Sequence, residues 1–469
     1  MHKYKILPFI LLVFFFEKNI HAQNNTPDKH EFSIKQCIDY ANKNNLQVKN
    51  ALLSFQNQQQ VNREYTAAAL PTVSGSIGYT YYMNTPKYAM SDFLSPAIYG
   101  ILYQNNVQNS ATGQVVNPPN DYGSFDFSFY QKNNTSLGVQ LQQVLFDGQV
   151  FVALQSRKAL LDFEKKNIDV TQEMIKANIY KVYYQLVISK TQTQILDANI
   201  ERLQKLQHDE EIMYKNGFAE KLDLDKVAVQ LANLQTQKEK VLNTIQIGYL
   251  GLKTLLGMPV KDELILTDKI TEDEIKNGLL DTGYQYSDRK EFQYLNVGRK
   301  LNELNIKRYK LSYLPSIGIG AAYSKVAMSN DFSFSKGNWL TTSYLGLNIS
   351  VPIFDGFFKD SKIKEAKITM QQTDAQIDDL KRSIDNEVAQ ARLNYKSAVI
   401  TLDNQKQNMQ LAESVYDQTK KKYEAGVGSN LEINTAQTDL ITAQTNYISA
   451  MYDAVIAKID FNKAIGKLN

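Results

Sequence analysis

Side chains able to do covalent or metal chemistry are few and far apart in this sequence. Cys37 is the single cysteine, which excludes an internal disulfide and every cysteine-rich metal motif. Of the four histidines only His30 and His208 lie beyond residue 22, and neither has a companion at ligand spacing, so no metal is expected. No grouping of nucleophile, histidine and acid is apparent, and no glycine-rich phosphate loop. The chain is therefore not read as an enzyme, and no cofactor is expected. What remains are acids beside glycine turns: Asp223 and Asp225 after Gly217, and Glu432 after Gly426. Acids there suit the positive end of a helix. Repeated about a symmetry axis, they would concentrate negative potential at a constriction and favour cations. Asp147 and Asp355, each inside a Phe-Asp-Gly triplet, fit the N-cap of a following helix.

The elements that must carry these residues follow from composition. The 469 residues hold 52 Lys and Arg against 49 Asp and Glu, a net charge of +3, which excludes a nucleic-acid binder relying on bulk charge. Lys3 and Lys5 precede an apolar stretch from Ile6 to Phe16, and Ile20-His21-Ala22 precedes Gln23. That order predicts a signal peptide over residues 1–22, its apolar core too short to span a bilayer. No later segment reaches 18 consecutive apolar residues. A membrane crossing would have to be made by β-strands.

The chain is written twice. Thr135 to Gly148 matches Ser343 to Gly356, with Leu-Gly and Phe-Asp-Gly in register, and Tyr214-Lys215-Asn216-Gly217 matches Tyr423-Glu424-Ala425-Gly426. Leu70-Pro71 and Leu314-Pro315 end a helical stretch in each half. Each half reads helix, strand, loop, strand, very long helix, tight turn, helix. The first repeat is assigned to 23–257, with strands about 71–82 and 135–146 joined by a loop at 83–133. A linker follows at 258–285, and the second repeat takes 286–469, with strands about 315–325 and 340–353.

The strands alternate. Val73, Ile77, Tyr79 and Tyr81 share one face, opposite Thr72, Ser74, Ser76 and Thr80, and the other three strands behave likewise. Each is about ten residues long, the length a tilted strand needs to cross a bilayer, and aromatic residues collect near both ends. No other β segments are expected. Residues 149–216 and 357–425 contain neither Pro nor Gly. They carry apolar residues every seven positions, as in Leu154, Leu161, Ile168, Ile175 and Val182, or Tyr395, Leu402, Met409, Tyr416 and Tyr423. A strict heptad supercoils helices around partners. Helices predicted over about 33–69 and 219–256 would lie beside the first long one.

Four strands cannot close a membrane barrel, so the chain must oligomerise, and three copies would give twelve strands around an open lumen. The duplicated halves, the Leu-Pro and Phe-Asp-Gly markers and the two Tyr-x-x-Gly turns, in this order, resemble the TolC-like outer-membrane efflux proteins. The resemblance implies a mainly α fold with a membrane β-barrel: a homotrimer with a twelve-stranded barrel in the outer-membrane lipid of a Gram-negative bacterium, continued by a periplasmic α-helical tunnel. It implies docking to a periplasmic adaptor and to a proton-driven or ABC-type inner-membrane pump, the channel acting as a passive duct for toxic compounds or proteins. It further implies a gate at the periplasmic tip: Tyr423 matches a gate tyrosine, Glu432 an acidic ring position, and Asp223 the acid of the first turn, with Asp225 beside it. Gly428 stands where the best-known member has an arginine, and Thr435 where it has a second ring aspartate. The alternative reading is a trimeric coiled-coil structural protein or adhesin anchored by strands.

Overall fold

Alternation with period two and apolar repeats with period seven are both realised in the computed structural model, which describes residues 28–277, 283–332 and 338–468. The signal peptide expected over 1–22 lies outside the described residues. In chain order the elements are β1 (Lys29–Phe32), α1 (Ile34–Asn44), α2 (Leu46–Ala67), β2 (Thr72–Tyr81), β3 (Tyr88–Ser91), α3 (Leu94–Gln104), β4 (Ser124–Phe127), β5 (Asn133–Phe146), α4 (Gly148–Lys215) and α5 (Lys221–Leu256). There follow β6 (Glu263–Leu266), α6 (Glu272–Lys276), a 3-10 turn (Tyr286–Asp288), α7 (Lys290–Leu311), β7 (Ser316–Ser329), β8 (Asn338–Ser350), α8 (Phe358–Glu424) and α9 (Asn430–Ala464). Two units are distinguished: Met1–Leu52 with Ile168–Lys290 and Lys381–Asn469, and Leu53–Asn167 with Glu291–Leu380.

The second unit holds a four-stranded antiparallel sheet in the order β2-β5-β7-β8. Its register keeps the faces apart: Val73, Leu141, Ala321 and Leu345 stand in one lateral row, and the next row holds Ser74, Gln140, Ala322 and Tyr344. Val73 is 66% exposed, Ile77 85% and Leu345 75%. Side chains of this kind are left in solvent only where something else is to cover them. β2 and β8 are the two edges, each with one row of backbone groups that pairs with no strand among the described residues. A bulge between Val144 and Phe146 interrupts the pairing of β5 with β7 before α4 begins. Asp147 Oδ1 accepts from the Gln149 and Val150 amides at 2.7 and 3.2 Å, satisfying two of the orphan donors of that helix. Asp355 Oδ2 accepts from the Lys359 amide at 3.1 Å in the first turn of α8.

The expectation that β structure is confined to four strands is corrected. β3 and β4 pair within 83–133, on either side of α3, so this segment is no plain loop. Its aromatic residues meet one another, Phe127 and Phe129 edge to face with centroids 4.6 Å apart and Tyr88 of β3 against Phe129 at 6.1 Å, and the second contact supports the pairing of β3 with β4. In the first unit β1 pairs in parallel with β6 across more than two hundred residues of sequence, and the 258–285 stretch carries both β6 and α6. The helix expected over 33–69 is broken at Asn45, whose backbone is extended. Asn45 Oδ1 accepts from the Gln47 and Val48 amides at the start of α2, while its Nδ2 donates to the Leu255 carbonyl at 2.7 Å.

The core of the first unit lies where α1, α4, α5 and the β1–β6 ribbon meet, around Cys37, Val48, Ile179, Tyr183, Leu252 and Leu256. Tyr183 is fully buried; its hydroxyl donates to the Phe32 carbonyl and accepts from the Asp268 amide, both at 3.2 Å. Burial pushes the Cys37 thiol up to about 12, so it stays protonated and behaves as a small apolar side chain.

Candidate functional site

The tyrosines, glycines and acids of the two turns singled out from the sequence lie where α4 turns into α5 and α8 into α9, both within the first unit, whereas the caps Asp147 and Asp355 belong to the second unit. The Tyr-x-x-Gly motifs have a backbone cause. The Gly217 amide donates to the Tyr214 carbonyl at 3.0 Å and the Phe218 amide to the Met213 carbonyl at 2.8 Å. Gly426 and Val427 do the same toward Tyr423 and Lys422 at 2.9 and 3.0 Å. This double bond pattern requires a left-handed residue just past the helix, and Gly217 and Gly426 supply it at φ 81° and 76°. Gly428 is tightly placed: a Cβ there would stand 2.9 Å from the Tyr423 amide nitrogen, so an arginine does not fit this backbone.

The acids differ in what they touch. Glu432 closes a capping box on its own helix: Ser429 Oγ accepts from the Glu432 amide at 3.2 Å, and Glu432 Oε2 from the Ser429 amide at 3.3 Å. Asp223 lies 3.3 Å from Lys226 in the first turn of α5. Asp225 lines a groove between α5 and α9 with Leu222, Gln230, Leu431, Thr435 and Thr438, across which Gln230 Nε2 donates to Thr438 Oγ1 at 3.4 Å.

Tyr423 does not turn to Asp223. Its hydroxyl donates to Glu210 Oε1, an oxygen that also accepts from Asn430 Nδ2 at 2.5 Å. Asn430 Oδ1 in turn accepts from Asn434 Nδ2 at 2.5 Å. Glu210 has no solvent exposure, and its second oxygen has no hydrogen-bond partner. Burial first, and then the Glu210 carboxylate, push the Tyr423 hydroxyl up to about 12. The tyrosine is thus a permanent donor that ties the end of α8 to α4, while Asn430 ties the start of α9 to the same carboxylate. Glu210 was missed in the sequence because it sits in the charged run His208-Asp209-Glu210-Glu211. The signal was nonetheless there. Glu210 takes the next place in the seven-residue series Ser189, Leu196 and Leu203, and an acid on a packing stripe needs a partner. Beside these hydrogen bonds a cavity of about 350 Å³ is lined by Arg202, Lys205, Met213, Tyr416, Lys420 and Tyr423, among others.

Nothing in this arrangement supplies a nucleophile or a general base facing a substrate cleft. Among the described residues no group of three or more His, Cys, Asp and Glu could hold a metal ion. What the geometry can do is hold two helical hairpins together through a few hydrogen bonds that can be broken.

Comparison with known proteins agrees in direction. Residues 298–467 match the family model described as outer membrane efflux protein. Outer membrane protein TolC of Salmonella enteritidis is 21% identical over 361 residues, covering 74% of this chain and 72% of the relative. Outer membrane efflux protein BepC of Brucella suis is 20% identical over 417 residues, covering 86% and 87%. The crystal structure of the outer membrane protein VceC from Vibrio cholerae superposes with a TM-score of 0.68 at 17% identity, over 92% of this chain and 96% of that one. Over residues 298–467 the chain is thus similar to outer membrane efflux proteins, and the order of its helices and strands is the fold of the outer membrane protein VceC.

Proposed function

We propose that this protein is the outer-membrane channel of a tripartite efflux or type I secretion system, a passive duct that carries small toxic compounds or proteins out of a Gram-negative cell. The observation that carries this reading is the open sheet. Both edges, β2 and β8, pair with no further strand among the described residues, one face is apolar and exposed, and the other holds Ser74, Ser76, Gln140 and Gln142. Lipid tolerates no open edge, so β8 of one copy pairs with β2 of the next. Three copies give twelve strands, enough for a water-filled lumen, where two would give an eight-stranded barrel filled by side chains. Among the described residues no helix is long and apolar enough to cross a membrane. The two sequence repeats contribute two strands and one long helical hairpin each, and the hairpins form the periplasmic tunnel.

The tips of the hairpins are the gate, held by Glu210, Tyr423 and Asn430, with Asp223, Asp225 and Glu432 supplying negative charge around it. Adaptor docking takes place on the helical part, and the pump behind the adaptor selects the cargo. The coiled-coil adhesin reading predicts one helical run and a terminal anchor, which two hairpins flanking strands do not support. The test is affinity isolation from crosslinked native membranes. The expected result is a species of three copies of the chain carrying an adaptor, with a proton-driven pump indicating efflux and a nucleotide-driven exporter indicating secretion. A single-chain species without an adaptor would overturn the reading.

A further inference from the structure

Among all residues of β2, β5, β7 and β8, one alone carries a charge: Lys325 of β7. It does not lie on the polar face. Strict alternation along β7 puts Lys325 on the side of Ile319, Ala321 and Tyr323, and its lateral partners are Leu137 on β5 and Thr341 on β8. Ile77, which pairs with Leu137, completes the row. The lysine is exposed, and no carboxylate of the sheet can neutralise it, because the four strands contain none.

Its surroundings are as particular as its charge. One row toward the loop end stand Tyr79, Thr135, Ala327 and Trp339; one row the other way stand Val139, Tyr323 and Ser343. The register therefore surrounds Lys325 with three hydroxyl side chains, Thr135, Thr341 and Ser343, and three aromatic ones, Tyr79, Tyr323 and Trp339, beside the aliphatic Ile77, Leu137 and Val139. Lys325 is four residues from the loop end of β7 at Ser329, about 10 Å along the normal for a strand tilted by about 40°. At that depth aromatic residues form the interfacial girdle, and a lysine reaches up to the head groups with its stem in the acyl layer.

We propose that Lys325, with the hydroxyls of Thr341 and Ser343, is a binding site for the phosphate of a lipid head group in the leaflet at the loop end of the sheet. An ammonium on a lipid-facing surface whose own strands offer no counter-ion takes one from the membrane, and a phosphate also accepts hydrogen bonds from the flanking hydroxyls. The aromatic frame holds the sugar or glycerol part of the head group at the same level. This inference rests on the reading of the sheet as the wall of a membrane barrel.

The test uses the full chain in phosphatidylcholine nanodiscs doped with bisphosphorylated lipid A, or with the same lipid A stripped of both phosphates. Lipid retained by the protein is counted by native mass spectrometry. Wild-type protein retains the phosphorylated form over the stripped form, Lys325→Gln lowers that preference about tenfold, the value of one charge-assisted contact, and Lys325→Arg restores it. Equal retention of both lipids by the wild type, or unchanged retention by Lys325→Gln, overturns the proposal. So does displacement of the lipid by inorganic phosphate alone at millimolar concentration, which would mark a site for the free ion. Failure of the wild type to enter the nanodisc would bring down the membrane reading itself, whereas entry without a phosphate preference would bring down only the lipid site.

Discussion

Replacing Glu210 by alanine is expected to open the channel. The substitution leaves the Tyr423 hydroxyl and the Asn430 amide, both now bonded to Glu210, without their acceptor. Each stranded donor costs about 1–3 kcal/mol where it stays buried. If the open state lacks these contacts, the closed state loses about 3 kcal/mol relative to it, and the open fraction rises on the order of a hundredfold. Cells carrying the variant should become sensitive to vancomycin, which a closed duct excludes. Glu210→Gln keeps an acceptor and should have a smaller effect. Asp223→Asn is the informative control. The resemblance makes Asp223 the acid of the first turn, but here it lies beside Lys226 and Tyr423 bonds to Glu210, so the variant should stay closed. Vancomycin sensitivity in Asp223→Asn but not in Glu210→Ala would reject Glu210 as the residue that holds the tips closed.

The largest loss of stability is expected from Gly257→Ala. Gly257 follows α5 at φ 71°, and its amide donates to the Thr254 carbonyl at 3.1 Å, closing the helix. A Cβ there would also stand 2.7 Å from the Asn44 carbonyl carbon and 3.0 Å from the Asn45 amide nitrogen. Both obstacles are backbone, at the break between α1 and α2, and cannot swing aside. Left-handed strain of about 1 kcal/mol therefore adds to an overpacking cost of about 1–3 kcal/mol. Gly217→Ala separates the two contributions. Its φ is 81° but nothing lies within 4 Å of the added carbon, so only the strain remains. Thermal unfolding followed by circular dichroism should show a midpoint drop for Gly257→Ala at least twice that for Gly217→Ala. Equal drops would mean that the contact with α1 is not made.

The long helices and the four strands of the large sheet were legible because their periods are local. Heptad spacing and two-residue alternation each bury or expose a whole face, and a slip would misplace every side chain on it. The turns were legible for the same reason, since a left-handed glycine closes a helix wherever it stands. β1 and β6 were not legible: each is four residues long, and their partnership spans more than two hundred residues of chain. The β3–β4 pair was hidden in a stretch rich in Asn and Pro, where composition suggests a loop. At the hairpin tips the sequence indicated Tyr423 but not its partner. The acids it favoured, Asp223 and Glu432, lie at helix starts, and Glu432 is turned back on its own first turn. The acid that meets the tyrosine stands seven residues beyond Leu203 on the packing stripe of α4, where charge is costly unless paired.

The central claim is that copies of this chain close their open sheets into a water-filled channel through lipid. The most direct measurement is the conductance of the purified protein in a planar lipid bilayer. The account predicts discrete, cation-selective steps for the wild type and larger steps for Glu210→Ala. Protein that inserts into the bilayer yet gives no steps in either form would contradict it.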